Sequence, residues 1–298
     1  MVAGVSPVVD CHFHVFDRGH ASPTARYRPA YDARLIDWER QLSSLGVQYG
    51  VVVQTSFLGT DNTALLQALR AEPDRLRGVA VVDPDTSDAD LVMMRELGVR
   101  GIRLNLFGDV GWRRITTPAW LELFARIVPC GWHVELHADN GASGIVLTEF
   151  ASALHAAGIS LPIVLDHFGR PGQAGVDDPI FAAVQSMRGQ QEVWVKLSAP
   201  YRQHSHKDWS TLAGKWATVA GLDRLVWGSD WPWTNYEGAG RALECQDIIE
   251  WEAVMSSNAG RLDDAIRCRN AAVLYGFDVT GHPTSTHLPP NYLDAETK

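Results

Sequence analysis

The sequence predicts an α/β fold, a closed (β/α)8 barrel of the TIM type, and three observations predict it. Eight short β-rich runs recur along the 298 residues, stretches of 3.6-residue apolar periodicity lie between them, and glycine commonly ends a helical stretch just before the next strand.

The first run, residues 7–16, reads PVVDCHFHVF, and residues 49–56 (YGVVVQTS), 76–83 (LRGVAVVD) and 99–106 (VRGIRLNL) follow. HVELHAD at 133–139, LPIVLDH at 161–167, EVWVKLS at 192–198 and LVWGSDW at 225–231 complete the set. Helical periodicity occupies residues 61–70, 88–97, 118–128, 144–157, 179–187 and 209–219, several of these segments opened by Asp, Asn or Pro. Gly46, Gly98, Gly131, Gly158, Gly189 and Gly221 stand where helical segments close. An open doubly wound sheet would alternate too, but eight successive units with no second domain fit a closed barrel better. Residues 1–277 are therefore expected to form one barrel ending in a helix pair at 240–256 and 263–274, with 278–298 a polar tail.

Hydrophobic residues make up 46% of the chain and charged residues 20%, enough for a large buried core. The formal net charge of −9 argues against nucleic acid or an anionic membrane as partner, so an anionic ligand must meet a local basic pocket. The opening MVAGVSPVVD lacks a secretory leader and no long apolar run follows, which leads to the expectation of a cytoplasmic protein. Cys11, Cys130, Cys245 and Cys268 form no C-x-x-C pair and read as reduced thiols.

In a barrel, chemistry gathers where strands end. Strict alternation places Asp10, His12 and His14 on one face of the first strand, so two imidazoles project together from its end. The fifth strand ends in His137, the sixth in Asp166 and His167, and the eighth in the run Gly228 to Pro232 that contains Asp230. Histidines converging with a carboxylate either hold a divalent metal or relay protons during hydrolysis, and spacing leaves both open. His204 and His206 also form an H-x-H, but in polar sequence after the seventh strand, and they read as loop residues; His20 and His155 likewise read as groups outside the chemistry.

These residues resemble the amidohydrolase superfamily: H-x-H on strand one, His on strands five and six, Asp on strand eight. Within it the chain is similar to the 2-pyrone-4,6-dicarboxylate lactonases and related sugar-acid lactone enzymes. The similarity runs through VVDCHFHVF, VVVQTSFLGTDN, RGVAVVDP, GVRGIRLNL, GWHVELHAD, PIVLDHFGRPG, KLSAPYR and LVWGSDWPWTN. The resemblance implies that Asp230 activates water while His12, His14 and His167 polarise a lactone carbonyl and shuttle protons. It further implies that Arg103, Arg170 and Arg202 bind the carboxylate of a small anionic lactone, with Ser56, His137 and Asn105 beside them, since a guanidinium fork suits a carboxylate.

Two departures stand out against that family. Strand four reads Arg103-Leu104-Asn105 where binuclear members carry a lysine, so the expectation is no cofactor or one divalent ion such as zinc, held by His12, His14 and Asp230. Where the pyrone lactonases carry a further arginine after strand four, Asp109 stands here, and His137 replaces a tyrosine. A second carboxylate would lose a partner, which favours a lactone with one carboxylate or several hydroxyls. The expected function is hydrolysis of a small carboxylated lactone. The alternatives are isomerisation of a sugar-acid lactone, a mononuclear zinc hydrolase or decarboxylase, and a barrel that binds a metabolite without turnover.

Overall fold

A computed structural model describes residues 7–23, 25–203, 209–234 and 264–279. The helix expected at 240–256, His204, His206, Cys245 and the tail beyond residue 279 lie outside the described residues.

Eight parallel strands follow one another in chain order: β1 Val8–Phe13, β2 Val47–Val53, β3 Leu76–Ala80, β4 Val99–Asn105, β5 His133–His137, β6 Ile163–Leu165, β7 Val193–Ser198 and β8 Leu225–Gly228. The ring closes where Phe13 bridges Trp231, with the His14 amide donating to the Trp231 carbonyl at 2.9 Å. Helices α1 Leu35–Leu42, α2 Thr63–Ala71, α3 Asp88–Glu96, α4 Pro118–Ile127, α5 Ser143–Ala156, α6 Pro179–Ser186 and α7 Trp209–Val219 intervene, and α8 Asn270–Tyr275 comes last. Ser87 caps α3 and Asp178 caps α6, each accepting a bond from an amide in the first turn. This is the (β/α)8 barrel that the alternation predicts. No helix among the described residues is long and apolar enough to cross a membrane.

Two cores result from the two faces of the strands. Inside the barrel, Val9, Cys11, Tyr49, Val51, Val79, Val164, Trp194 and Val226 pack together, with Ala271 and Tyr275 of α8 and then Phe277 packed against them. Outside, Phe13, Ile102, Leu104, Val134, Leu136, Leu165, Val195 and Leu197 meet the helices.

The first strand departs from strict alternation. Asp10 pairs with Gly50 but Phe13 pairs with Val52, so β1 carries one residue more than β2 over that stretch. The bulge turns Asp10 away from His12. Asp10 accepts bonds from Trp38 Nε1 of α1 (2.9 Å), from the Ser229 amide (2.8 Å) and from the Ser229 hydroxyl (2.5 Å), tying β1 to α1 and to the turn after β8. The expectation that Asp10 shares a face with His12 and His14 is corrected by this extra residue. Gly228 allows the close approach of β8, because a Cβ there would lie 2.7 Å from His12 Cβ.

Candidate active site

Asp230 follows β8, fully buried, with a left-handed φ of 59°. His167 and Arg170, after β6, are held the same way at φ 52° and 48°. Such a backbone costs an L-residue about 1 kcal/mol or more, and it occurs here where strands hand over to loops that must aim a side chain inward. This explains why β6 stops at Leu165 and β8 at Gly228, short of the predicted runs. The Asp230 amide donates to the His12 carbonyl at 2.8 Å, locking the carboxylate to β1.

The two oxygens of Asp230 have different surroundings. Oδ2 accepts bonds from the Tyr201 hydroxyl and from Arg202 Nε at 3.0 Å. Oδ1 lies 3.5 Å from His12 Nε2, 3.6 Å from His14 Nε2 and 3.8 Å from His167 Nε2, and it has no hydrogen-bond partner among the described residues. Burial opposes its ionisation, yet the Arg202 guanidinium above all carries the carboxyl well below the ordinary range, so it is an anion at neutral pH.

Each imidazole is oriented from behind. His14 Nδ1 lies 2.7 Å from the Val53 carbonyl, which can only accept, so the neutral ring keeps its lone pair on Nε2, facing Asp230. His167 Nδ1 meets Ser198 Oγ at 2.8 Å. His12 Nδ1 sits between Lys196 Nζ (3.3 Å) and Asp166 Oδ1 (3.4 Å). Both nitrogens of His137 face guanidinium groups, Arg103 Nη2 at 2.6 Å and Arg170 Nη1 at 3.2 Å. A neutral imidazole accepts at one nitrogen only, so the shorter contact is the hydrogen bond and Nε2–H joins Arg170 as a second donor toward the cavity.

Beneath the histidines lies a charged floor that the sequence reading missed. Lys196 of β7 is fully buried, 2.5 Å from Glu135 Oε1 of β5 and 3.8 Å from Asp166 Oδ1. Arg103 Nε donates to Asp166 Oδ2 at 2.8 Å. Alternation carried the signal: HVELH puts Glu135 on the face of His133 and His137, and VWVKLS puts Lys196 on the face of Trp194 and Ser198.

A cavity of about 400 Å³ opens above this floor. It is lined by His14, Ser56, Arg103, Asn105, His137, His167, Arg170, Arg202 and Asp230, so all but one of the residues expected to act on water or substrate face one space. The exception, His12, is buried behind it and reaches Asp230 through Nε2. Tyr27, Thr55, Phe107, Tyr201, Thr234 and Arg26 also line it, none of them foreseen. Tyr27 Oη and Thr55 Oγ1 are buried without a hydrogen-bond partner among the described residues. His20 and His155 are exposed.

The donor set fits one divalent ion: ligand atoms of His12, His14 and Asp230 lie within 4.8 Å of one another, and His12 Nε2 and Asp230 Oδ1 are otherwise unpartnered. Such an ion would supply Lewis-acid polarisation of a carbonyl and a more acidic water.

Burial is the largest force on three of the site histidines. Together with the Lys196 ammonium it pushes His12 down to about 4, together with Arg103 it holds His137 well below its usual value, and it holds His167 well below against the opposing pull of the Asp230 carboxylate. In the unfolded chain these rings take up protons near pH 6.5. The unfolded state therefore binds more protons from there down to the folded values, and their contribution to stability, complete above pH 6.5, is lost as pH falls toward 4. Urea midpoints are expected to drop clearly between pH 7 and pH 5. A flat profile across that range would contradict the neutral assignment of the three rings.

Residues 9–277 match the Amidohydrolase family. The chain is 34% identical over 248 residues to a 2-pyrone-4,6-dicarboxylate hydrolase of Comamonas testosteroni, covering 76% of this chain and 77% of that one. It is 31% identical over 239 residues to a 4-sulfomuconolactone hydrolase of Hydrogenophaga intermedia, covering 76% and 75%. A solved structure from Acinetobacter baumannii, described as a probable 2-pyrone-4,6-dicarboxylic acid hydrolase with citric acid bound, superposes with a TM-score of 0.79 at 32% identity, covering 91% of this chain and 99% of that one.

Proposed function

The chain belongs to the amidohydrolase family and is a hydrolase of it, and from that premise we propose that it opens a small carboxylated lactone by adding water, with Asp230 as the base. The observation that carries this reading is the inequality of the Asp230 oxygens. Oδ2 is anchored by two donors, while Oδ1 is unpartnered among three imidazole Nε2 atoms at the bottom of the cavity.

A water held at Oδ1 gives its proton to the carboxylate as its oxygen bonds to the lactone carbonyl carbon. Charge then develops on the former carbonyl oxygen, where imidazole N–H groups stabilise it. The ring C–O bond breaks, and the proton taken by Asp230 passes through the histidine cluster to the leaving alkoxide. The products are an alcohol and a carboxylic acid, which ionises to its carboxylate by releasing the remaining proton of the water to solvent.

Orientation falls to the arginines. Arg170 Nε donates to Asn140 Oδ1 (2.6 Å) and Arg202 Nη2 to the Thr234 carbonyl (2.7 Å), which fixes both guanidiniums at the cavity wall. Arg103 is largely occupied by Asp166 and His137 and acts on substrate mostly through them. Burial and then Arg202 lower Arg170 to about 10, the signature of a crowded cationic wall that an anionic substrate relieves. Hydrolysis of a cyclic, acidic substrate is also what the names of both curated relatives describe.

The test is a screen of pyrone carboxylates, muconolactones and sugar-acid lactones, with and without chelator, alongside metal analysis. Turnover of at least one carboxylated lactone, with no more than one equivalent of metal per chain, is expected. Two equivalents of metal, or no turnover of any lactone, would contradict the account.

A further inference from the structure

The loop between β1 and α1 brings a guanidinium to the catalytic cavity that nothing in the described structure neutralises. Arg26 lines that cavity and also a second lobe of about 600 Å³, which shares Ser56, Arg103, Asn105 and Phe107 with it. Every other arginine in the two lobes has a fixed polar partner: Arg103 has Asp166, Arg170 has Asn140, Arg202 has Asp230 and Arg114 has Asp109. Arg26 makes no hydrogen bond or ion pair with a described residue. Among the described residues its partner is the ring of Phe107, 5.4 Å from the guanidinium carbon, and the guanidinium of Arg170 lies over the same ring at 4.8 Å.

The position of Arg26 depends on Gly108. A Cβ there would stand 2.4 Å from Arg26 Nη1, so the glycine makes the space that the guanidinium occupies. Asp109, next in the chain, does not neutralise it, because its carboxylate is taken by Arg114. An uncompensated cation at the mouth of a protein with a net charge of −9 is a local reversal of field, suited to drawing in and holding an anion.

We infer that Arg26 is a specificity-determining residue that holds a second acidic group of the substrate, a carboxylate or sulfonate, while the first lies against Arg170 and Arg202. The inference rests on the lactonase reading for the identity of the substrate. It reverses the expectation drawn from Asp109: the charge missing from the loop after β4 is supplied from the loop after β1. Phe107, in contact with both guanidiniums, ties the two acid-binding groups to one wall of the cavity.

The experiment uses the full chain with 2-pyrone-4,6-dicarboxylate and the same pyrone bearing a single carboxylate, and compares wild type with Arg26→Met and Arg26→Lys. Arg26 is exposed, so neither substitution removes a buried contact. The ratio of kcat/KM between the two probes is expected to fall roughly ten- to hundred-fold in Arg26→Met, chiefly through KM, and to recover in part in Arg26→Lys. An unaltered ratio overturns the inference. Calorimetric binding of the dicarboxylate separates the two claims. If wild type binds it without hydrolysing it and Arg26→Met binds at least ten-fold more weakly, Arg26 stands and the lactonase reading falls. A wild type that does not bind the dicarboxylate overturns the inference about Arg26.

Discussion

Asp230→Asn is expected to lower kcat by about a thousand-fold or more while the protein folds and binds substrate much as before. The structure dictates how the amide would sit. Tyr201 and Arg202 both donate to the Oδ2 position, so the amide oxygen takes that side and its NH2 turns toward His12, His14 and His167. The atom that should accept the proton of water is then a donor with no lone pair to offer. The arginines that hold the acid are undisturbed, so KM should change far less than kcat. A variant with near-normal turnover would remove Asp230 from the role of base and leave it a tie between β1 and β8.

Lys196→Met is expected to produce the largest loss of stability of any single substitution near the site, about 3–5 kcal/mol, because it strands Glu135 and Asp166 in the barrel interior without their shared cation. Adding Glu135→Gln should recover part of that loss, since removing both members of a buried pair costs less than removing one. The kinetics should move as well. The Lys196 ammonium is, after burial, the main force holding His12 down, so in the variant the His12 pKa rises and the acid limb of the pH–rate profile shifts toward neutrality. Chemical denaturation and pH profiles measure the two effects. Full stability together with an unmoved acid limb would show that the ammonium neither balances the interior carboxylates nor acts on His12.

Much of the site was legible because its residues stand where a periodic pattern breaks. His14, His137, His167 and Asp230 each occur as an apolar run gives out, where barrel strands deliver chemistry, and Arg170 after β6 and Arg202 after β7 follow the same rule, while Arg103 lies inside β4. Lys196 and Glu135 escaped notice because they lie inside their strands, although alternation puts both on the inner face. Asp10 was misplaced because a bulge inserts one residue, and a period of two has no means of announcing it. Arg26, Tyr27 and Tyr201 lie outside strand and helix periodicity, on loops whose course depends on packing against Phe57, Phe107 and the turn after β8.

In the proposed reaction, water activated at Asp230 Oδ1 adds to a lactone carbonyl, and turnover of a carboxylated lactone in 18O-labelled water with mass analysis of the product tests that step. One labelled oxygen per turnover is expected, located in the newly formed carboxylate, with loss of that labelled product in Asp230→Asn. A ring-retained isomer with no label would contradict it.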